Sequence, residues 1–311
     1  MSLRIGVVGA GGFGRAIAVA SARSGHDVVL WSRRDRELPD PIRVSTDIAD
    51  IRDCELVFLA VPARHAVEAT EQLGEVVDGR HSMVHVSRGL VGADLKTITQ
   101  LIRDKTVCRR LGALAGPLVA GALAEGRPSG AILGTGFPDL TDMVREALGG
   151  AGLRIYETRD VIGVELASAT VGFLTVVLAY VQEVGLDPST LAVLATRGMV
   201  EVSRIGQTLG AKESTFMGLA GLGDLIAAVA GDQRPELRLG RALAQGVHLT
   251  NAVGEAGAYV EGIDVAGHLI EHARRLGLET PISSTFVAVC EGRMSKDDAI
   301  QALMERRVGK E

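Results

Sequence analysis

Apolar residues gather into short blocks over the first 160 residues and into long runs of helical spacing after that. The block at residues 4–9, Arg-Ile-Gly-Val-Val-Gly, feeds straight into glycines, and a helical pattern follows over 13–23. Further blocks predict strands at 26–31, 55–61, 82–87, 106–115, 131–133 and 153–156, with helices between them at 66–73 and 139–148. A short, continuously apolar run bounded by turn residues suits a strand covered on both faces. Strands alternating with helices in this way predict an α/β fold built on a mostly parallel, doubly wound sheet.

The texture changes after Glu157. From residue 161 onward no convincing strand appears, only helical spacing, for example over 164–184, 189–209, 262–276 and 296–306. The expected organisation is therefore two domains, 1–160 and 161–311, the second of them all-α. At 311 residues the chain is longer than one core usually serves.

Gly9-Ala-Gly11-Gly12-Phe13-Gly14 follows the first strand and opens the first helix. In a G-x-G-x-x-G turn the first glycine permits the tight bend and the second lets backbone approach a pyrophosphate. The third allows close helix–strand packing, and the helix N-terminus faces the phosphate charge. With strand, helix and next strand all correctly spaced, the N-terminal domain reads as a Rossmann dinucleotide-binding domain. The second strand ends in Trp31-Ser32-Arg33-Arg34, where an NAD site would usually place a carboxylate for the ribose 2′-hydroxyl. Arginines there pair with a 2′-phosphate, so NADP is favoured over NAD as cofactor. A solvated Arg-Arg pair is the alternative.

Composition narrows the field further. A net charge of −5 argues against a nucleic-acid groove and for a small-molecule substrate. Cys54, Cys108 and Cys290 are far apart, with neither metal-ligand nor disulfide spacing, so buried thiols in a reducing cytoplasm are expected and no metal. The N-terminus carries no signal pattern, and the apolar stretch 172–181 is too short to span a bilayer, so no membrane partner is expected.

Several segments together resemble the NAD(P)-dependent glycerol-3-phosphate dehydrogenase family. They include residues 9–18, Leu59-Ala-Val-Pro62, Ser87-Arg-Gly-Leu90, Gly116-Pro117 and the Val260-Glu-Gly262 stretch. The most specific is Thr215-Phe-Met-Gly-Leu-Ala-Gly-Leu-Gly-Asp224. The resemblance implies hydride transfer between C4 of a nicotinamide and a carbonyl such as C2 of dihydroxyacetone phosphate, a phosphorylated triose. It also implies a homodimer formed through the helical domain. It assigns catalysis to Asp224 and Arg88. Cofactor contacts fall to Gly9, Gly11, Gly12, Phe13, Gly14, Arg33, Arg34, Pro62, Arg88, Ala120 and Glu261, and substrate contacts to Gly116 and Arg234.

The chain departs from the family pattern where the chemistry is concentrated. At the position of the proton-transferring lysine stands Val171, followed by Gly172 in place of asparagine. The five lysines, at 96, 105, 212, 296 and 310, all lie outside that motif. The family's Ser-Lys-Gly reads Ser87-Arg88-Gly89, and arginine binds anions but is a poor proton shuttle. Ser-Arg-Asn becomes Arg234-Pro235-Glu236, where Arg234 can supply the missing guanidinium but Glu236 would repel a phosphate. Thr170, Ser168, Glu165 and His65 are weak candidates, and no proton donor is assigned. Two alternatives stand beside the family's own reaction: a reductase with a less phosphorylated substrate, and an NADP-binding protein without catalysis.

Overall fold

The computed structural model describes residues 2–149, 152–232, 234–257 and 259–305. Eight strands form one sheet: β1 (Arg4–Val8), β2 (Asp27–Trp31), β3 (Arg43–Ser45), β4 (Leu56–Leu59), β5 (Ser82–His85), β6 (Arg110–Ala115), β7 (Ser129–Thr135) and β8 (Leu153–Thr158). Their order is β3-β2-β1-β4-β5-β6-β7-β8, parallel throughout except where β7 runs antiparallel to β6. The sheet is covered by α1 (Gly12–Arg23), α2 (Ala66–Gly74), α3 (Ile98–Lys105), α4 (Ala120–Glu125) and α5 (Pro138–Leu148). Buried residues fill both faces of the sheet, with Ile5, Leu30 and Phe58 in one cluster and Val8, Val57 and Leu59 in the other. That explains why β1, β2 and β4 read as apolar blocks rather than as alternating patterns.

Differences from the sequence reading have local causes. The expected strand at 106–115 begins only at Arg110, because α3, absent from the reading, runs up to Lys105. A capping box starts that helix: Thr97 Oγ1 accepts from Gln100 N while the Gln100 side chain accepts from Thr97 N. β3 is a three-residue, partly exposed edge strand with too little apolar content to register. β7 extends two residues beyond 131–133 at each end.

From Val161 on, no strand occurs among the described residues. The helices are α6 (Val161–Glu183), α7 (Pro188–Thr208), α8 (Glu213–Phe216), α9 (Asp224–Ala230), α10 (Pro235–Ala244), α11 (Leu249–Glu255), α12 (Gly262–Arg275), α13 (Pro281–Cys290) and α14 (Lys296–Met304). A short π turn, Leu219–Gly223, joins α8 to α9. The last helix, expected to reach 306, ends at Met304, and 306 lies outside the described residues. The apolar stretch 172–181 belongs to a longer element than expected. α6 has the length and apolarity of a membrane span, yet 89% of its most apolar window is buried inside the fold. A helix apolar all round is the axis of a core, and α7, α9, α10 and α12 pack around it.

Buried carboxylates fasten these elements. Glu201 of α7 accepts from the Ile282 and Ser283 amides at 2.9 Å each, satisfying donors at the start of α13 that helix geometry leaves unpaired. Glu165 of α6 joins the two halves of the chain. It accepts from Thr99 N (2.9 Å) and Thr99 Oγ1 (2.5 Å) and sits 2.8 Å from His85 Nε2, with both side chains 2% exposed.

Candidate active site

The carboxyl ends of β1 and β4 open a crevice where the strand order reverses, the place where open α/β sheets bind ligands. Gly9 leaves β1 at φ +116°, and a Cβ there would lie 2.5 Å from the Ala60 carbonyl oxygen. Gly14 packs closer still, since its Cβ would fall 1.9 Å from Gly9 O. By contrast Gly11 and Gly12 have nothing within 4 Å of a Cβ, so the turn faces open space. The helix behind it starts without a side-chain cap and without a carboxylate in its first turn. Uncapped amides at the positive end of a helix dipole suit a pyrophosphate. Phe13 packs against the sheet core rather than lining this space.

A groove of about 330 Å³ runs from this turn along the end of β2, lined by Gly9, Gly11, Ser32, Arg33, Arg34 and Pro62 among others. Arg33 Nη1 lies 4.0 Å from Glu68, and the Arg34 amide meets Ser32 Oγ at 3.4 Å. Both guanidiniums stand on the exposed rim, and Arg36 also lines the groove. His65, one of the weak candidates, is here too, with its Nε2 accepting from Arg64 Nε.

The loop after β5 crosses next to the Pro62 turn. Ser87 Oγ donates to Val61 O at 2.7 Å, and a Cβ on Gly89 would strike Ala63 Cβ at 2.4 Å and Glu261 Oε2 at 2.7 Å. Glu261, at the start of α12, accepts from the Arg64 amide at 3.4 Å, and burial pushes its carboxyl above the ordinary range. It therefore clasps the dinucleotide-binding half to the helical half.

This loop carries Arg88 to Asp224. Arg88 Nη1 lies 3.1 Å from Asp224 Oδ2, and its Nη2 donates to Oδ1 at 3.3 Å. Arg234, capping the start of α10, donates Nη2 to the same Oδ1 at 2.5 Å. Asp224 is fully buried, Arg234 is 14% exposed in its side chain and Arg88 30%. Burial lowers the Arg88 pKa and Asp224 works against that shift, and the guanidinium stays charged. Three residues named from the sequence, Arg88 lying 136 positions before Asp224 and Arg234 ten after it, thus meet in one cluster. Arg234 Nη1 is buried and has no hydrogen-bond partner among the described residues.

The remaining candidates have other partners. Val171 is fully buried in the apolar core around α6. Thr170 donates back to Ala167 O at 2.8 Å, Ser168 is buried, and Glu165 is bound to His85 and Thr99. Gly116 ends β6 near Leu219 of the π turn, while Ala120 begins α4 and packs against the sheet core. Lys96 and Lys105 form surface ion pairs with Asp104 and Glu71. The sequence reading missed the His85–Glu165 pair, whose one legible signal was a lone carboxylate in an apolar helix. It also placed Glu236 only by its likeness to a motif. In the structure Glu236 Oε1 lies 3.6 Å from where a Gly172 Cβ would be, and its charge acts on Arg88.

A glycine turn at the switch point of a mostly parallel sheet, joined to an all-α half, defines a dinucleotide-binding chain of the two-domain Rossmann class. Residues 4–40 and 34–138 match the N-terminal part of the NAD-dependent glycerol-3-phosphate dehydrogenases, and residues 160–301 match their C-terminal part. The chain is 34% identical to the NAD(P)+ glycerol-3-phosphate dehydrogenase of Dechloromonas aromatica, covering 98% of each sequence. It is also 34% identical to the Azorhizobium caulinodans enzyme of the same name, covering 97% of each. The crystal structure of glycerol-3-phosphate dehydrogenase from Coxiella burnetii shares the fold with a TM-score of 0.89, at 24% identity over 98% of this chain and 99% of that one. The chain belongs to the NAD-dependent glycerol-3-phosphate dehydrogenase family.

Proposed function

We propose that this chain is an NADP(H)-dependent oxidoreductase that interconverts a small hydroxyketone, dihydroxyacetone phosphate or a related carbonyl, with its alcohol. The observation that carries the reading is a groove that joins the Gly9–Gly14 turn to Arg33, Arg34 and Pro62. The loop bonded to the Pro62 turn through Ser87 carries Arg88 to Asp224 and Arg234. A nicotinamide dinucleotide held there supplies the hydride. The Gly11 and Gly12 amides would take its pyrophosphate and Arg33 and Arg34 a 2′-phosphate, while Glu261 fixes the wall between the two halves. Arg88, held in place by Asp224, would stabilise negative charge on the carbonyl oxygen as reduction proceeds, and the proton would come from water.

The same reading includes a homodimer in a reducing cytoplasm. Three free, buried cysteines support the compartment alone, burial pushing the thiols of Cys54 and Cys290 up to about 12, while the dimer rests on the family likeness. Val171, sealed in the core, favours a second reading: a dinucleotide-binding protein without turnover. Following NADPH absorbance with dihydroxyacetone and its phosphate separates the two. Oxidation at ordinary enzyme rates, on the order of 1 per second or more, supports the first reading. Tight NADPH binding with no oxidation by either ketone leaves the second.

A further inference from the structure

The groove beside the glycine turn carries its charges on two walls. The side that follows β2 supplies Arg33, Arg34 and Arg36 and no carboxylate. Asp35, among them in sequence, accepts from the Arg36 amide at 2.9 Å and does not line the groove. The facing wall is α2 with the residue that precedes it, which together present His65, Glu68, Ala69 and Gln72. Positions spaced in this way share one helical face. Glu68 is the one carboxylate among the described residues that line the groove. Its Oε2 stands 4.0 Å from Arg33 Nη1, so the pair bridges the two walls, and both side chains are more than half exposed.

We propose that Glu68 sets the chain's choice between NAD and NADP, doing from α2 what a carboxylate at the end of β2 does in an NAD site. A group this close to Arg33 also faces whatever Arg33 binds. The 2′-hydroxyl of an adenosine ribose placed beside Arg33 donates to Glu68 in a charge-assisted hydrogen bond. A 2′-phosphate in the same place draws Arg33 from Glu68 and sets its own negative charge against the carboxylate. The exposed ion pair is weak, so giving it up costs little. The repulsion remains, and Arg34 and Arg36 offset it. The arginines therefore pull toward NADP and Glu68 toward NAD.

This inference rests on the dinucleotide-binding reading above and deepens it at the ribose, and its test is a binding measurement that does not depend on turnover. The full chain is titrated by calorimetry with NAD+, with NADP+ and with the NAD+ analogue whose adenosine ribose lacks the 2′-hydroxyl. E68Q should raise the preference for NADP+ over NAD+ about tenfold, roughly 1.4 kcal/mol. In the wild type, loss of the 2′-hydroxyl should weaken binding at least about threefold. E68L, which can accept no hydrogen bond, should not distinguish the analogue from NAD+. The proposal is overturned if E68Q shifts the preference less than about threefold or changes both affinities by one factor. It is also overturned by a wild type that is indifferent to the 2′-hydroxyl or takes NADP+ and no NAD+. Melting temperatures confirm that both variants are folded. A wild type that binds neither dinucleotide gives a different result, which removes the dinucleotide-binding reading itself.

Discussion

At the scale of single residues, the cofactor turn and the ion cluster are held by very different forces. Gly14 is fixed by steric contact, because any side chain would overlap the Gly9 carbonyl. G14A should therefore weaken NADPH binding by about ten- to a hundredfold, as overpacking of 1–3 kcal/mol implies, read by quenching of protein fluorescence. Arg33 and Arg34 act through charge on the rim of the groove. Replacing each by serine should cost roughly tenfold or more in NADPH affinity while leaving NADH nearly unchanged, given about 1.5–3 kcal/mol for a charge-assisted hydrogen bond. Equal losses for both dinucleotides would remove the 2′-phosphate assignment. Asp224 stands at the opposite extreme, fully buried between two guanidiniums. D224A leaves those cations facing each other and should lower folding stability by about 3–5 kcal/mol, measured by urea denaturation. The glycines were legible in the sequence because their spacing encodes a shape. The Asp224 cluster was legible only by likeness to a family motif, since nothing local to residues 88, 224 and 234 says that they touch.

At the scale of elements, the sheet and the long helices follow from pattern, and the short elements do not. β1, β2 and β4 announce themselves as apolar blocks, and α6 as a run of helical spacing. α8, α9 and the π turn between them are too short for periodicity to emerge, and the contacts of Asp224, Phe216 and Ala220 decide their shape instead. The tie between α6, β5 and α3 was also hidden, because His85, Thr99 and Glu165 come from three elements. Burial pushes the Glu165 carboxyl up, but His85 and the Thr99 hydrogen bonds more than offset this and hold it below its ordinary value of 4.5. A carboxyl with a depressed folded pKa stabilises the fold above its unfolded pKa, near 4.3, and loses that contribution as pH falls through the folded value. Wild-type stability should therefore drop on acidification below about pH 4.3. E165Q should be less stable at neutral pH and should show a shallower acid slope in thermal melts. An unchanged slope would mean that the pair does not couple the two halves.

At the scale of the whole molecule, the two halves do different work. In the proposed function the sheet offers backbone amides and rim arginines to a dinucleotide, and the helical half supplies Asp224 and Arg234 to Arg88. Glu261 and Glu165 each cross between the halves, so the geometry of the cleft depends on both. Where the resemblance implies two lysines the chain carries Val171 and Arg88, and Arg88 shares Asp224 with Arg234. The measurement that bears most directly on this account is calorimetric titration of the full chain with NADPH and with NADH. The account predicts saturable binding of one NADPH per chain, at least about tenfold tighter than NADH. Absence of binding by both dinucleotides would contradict it.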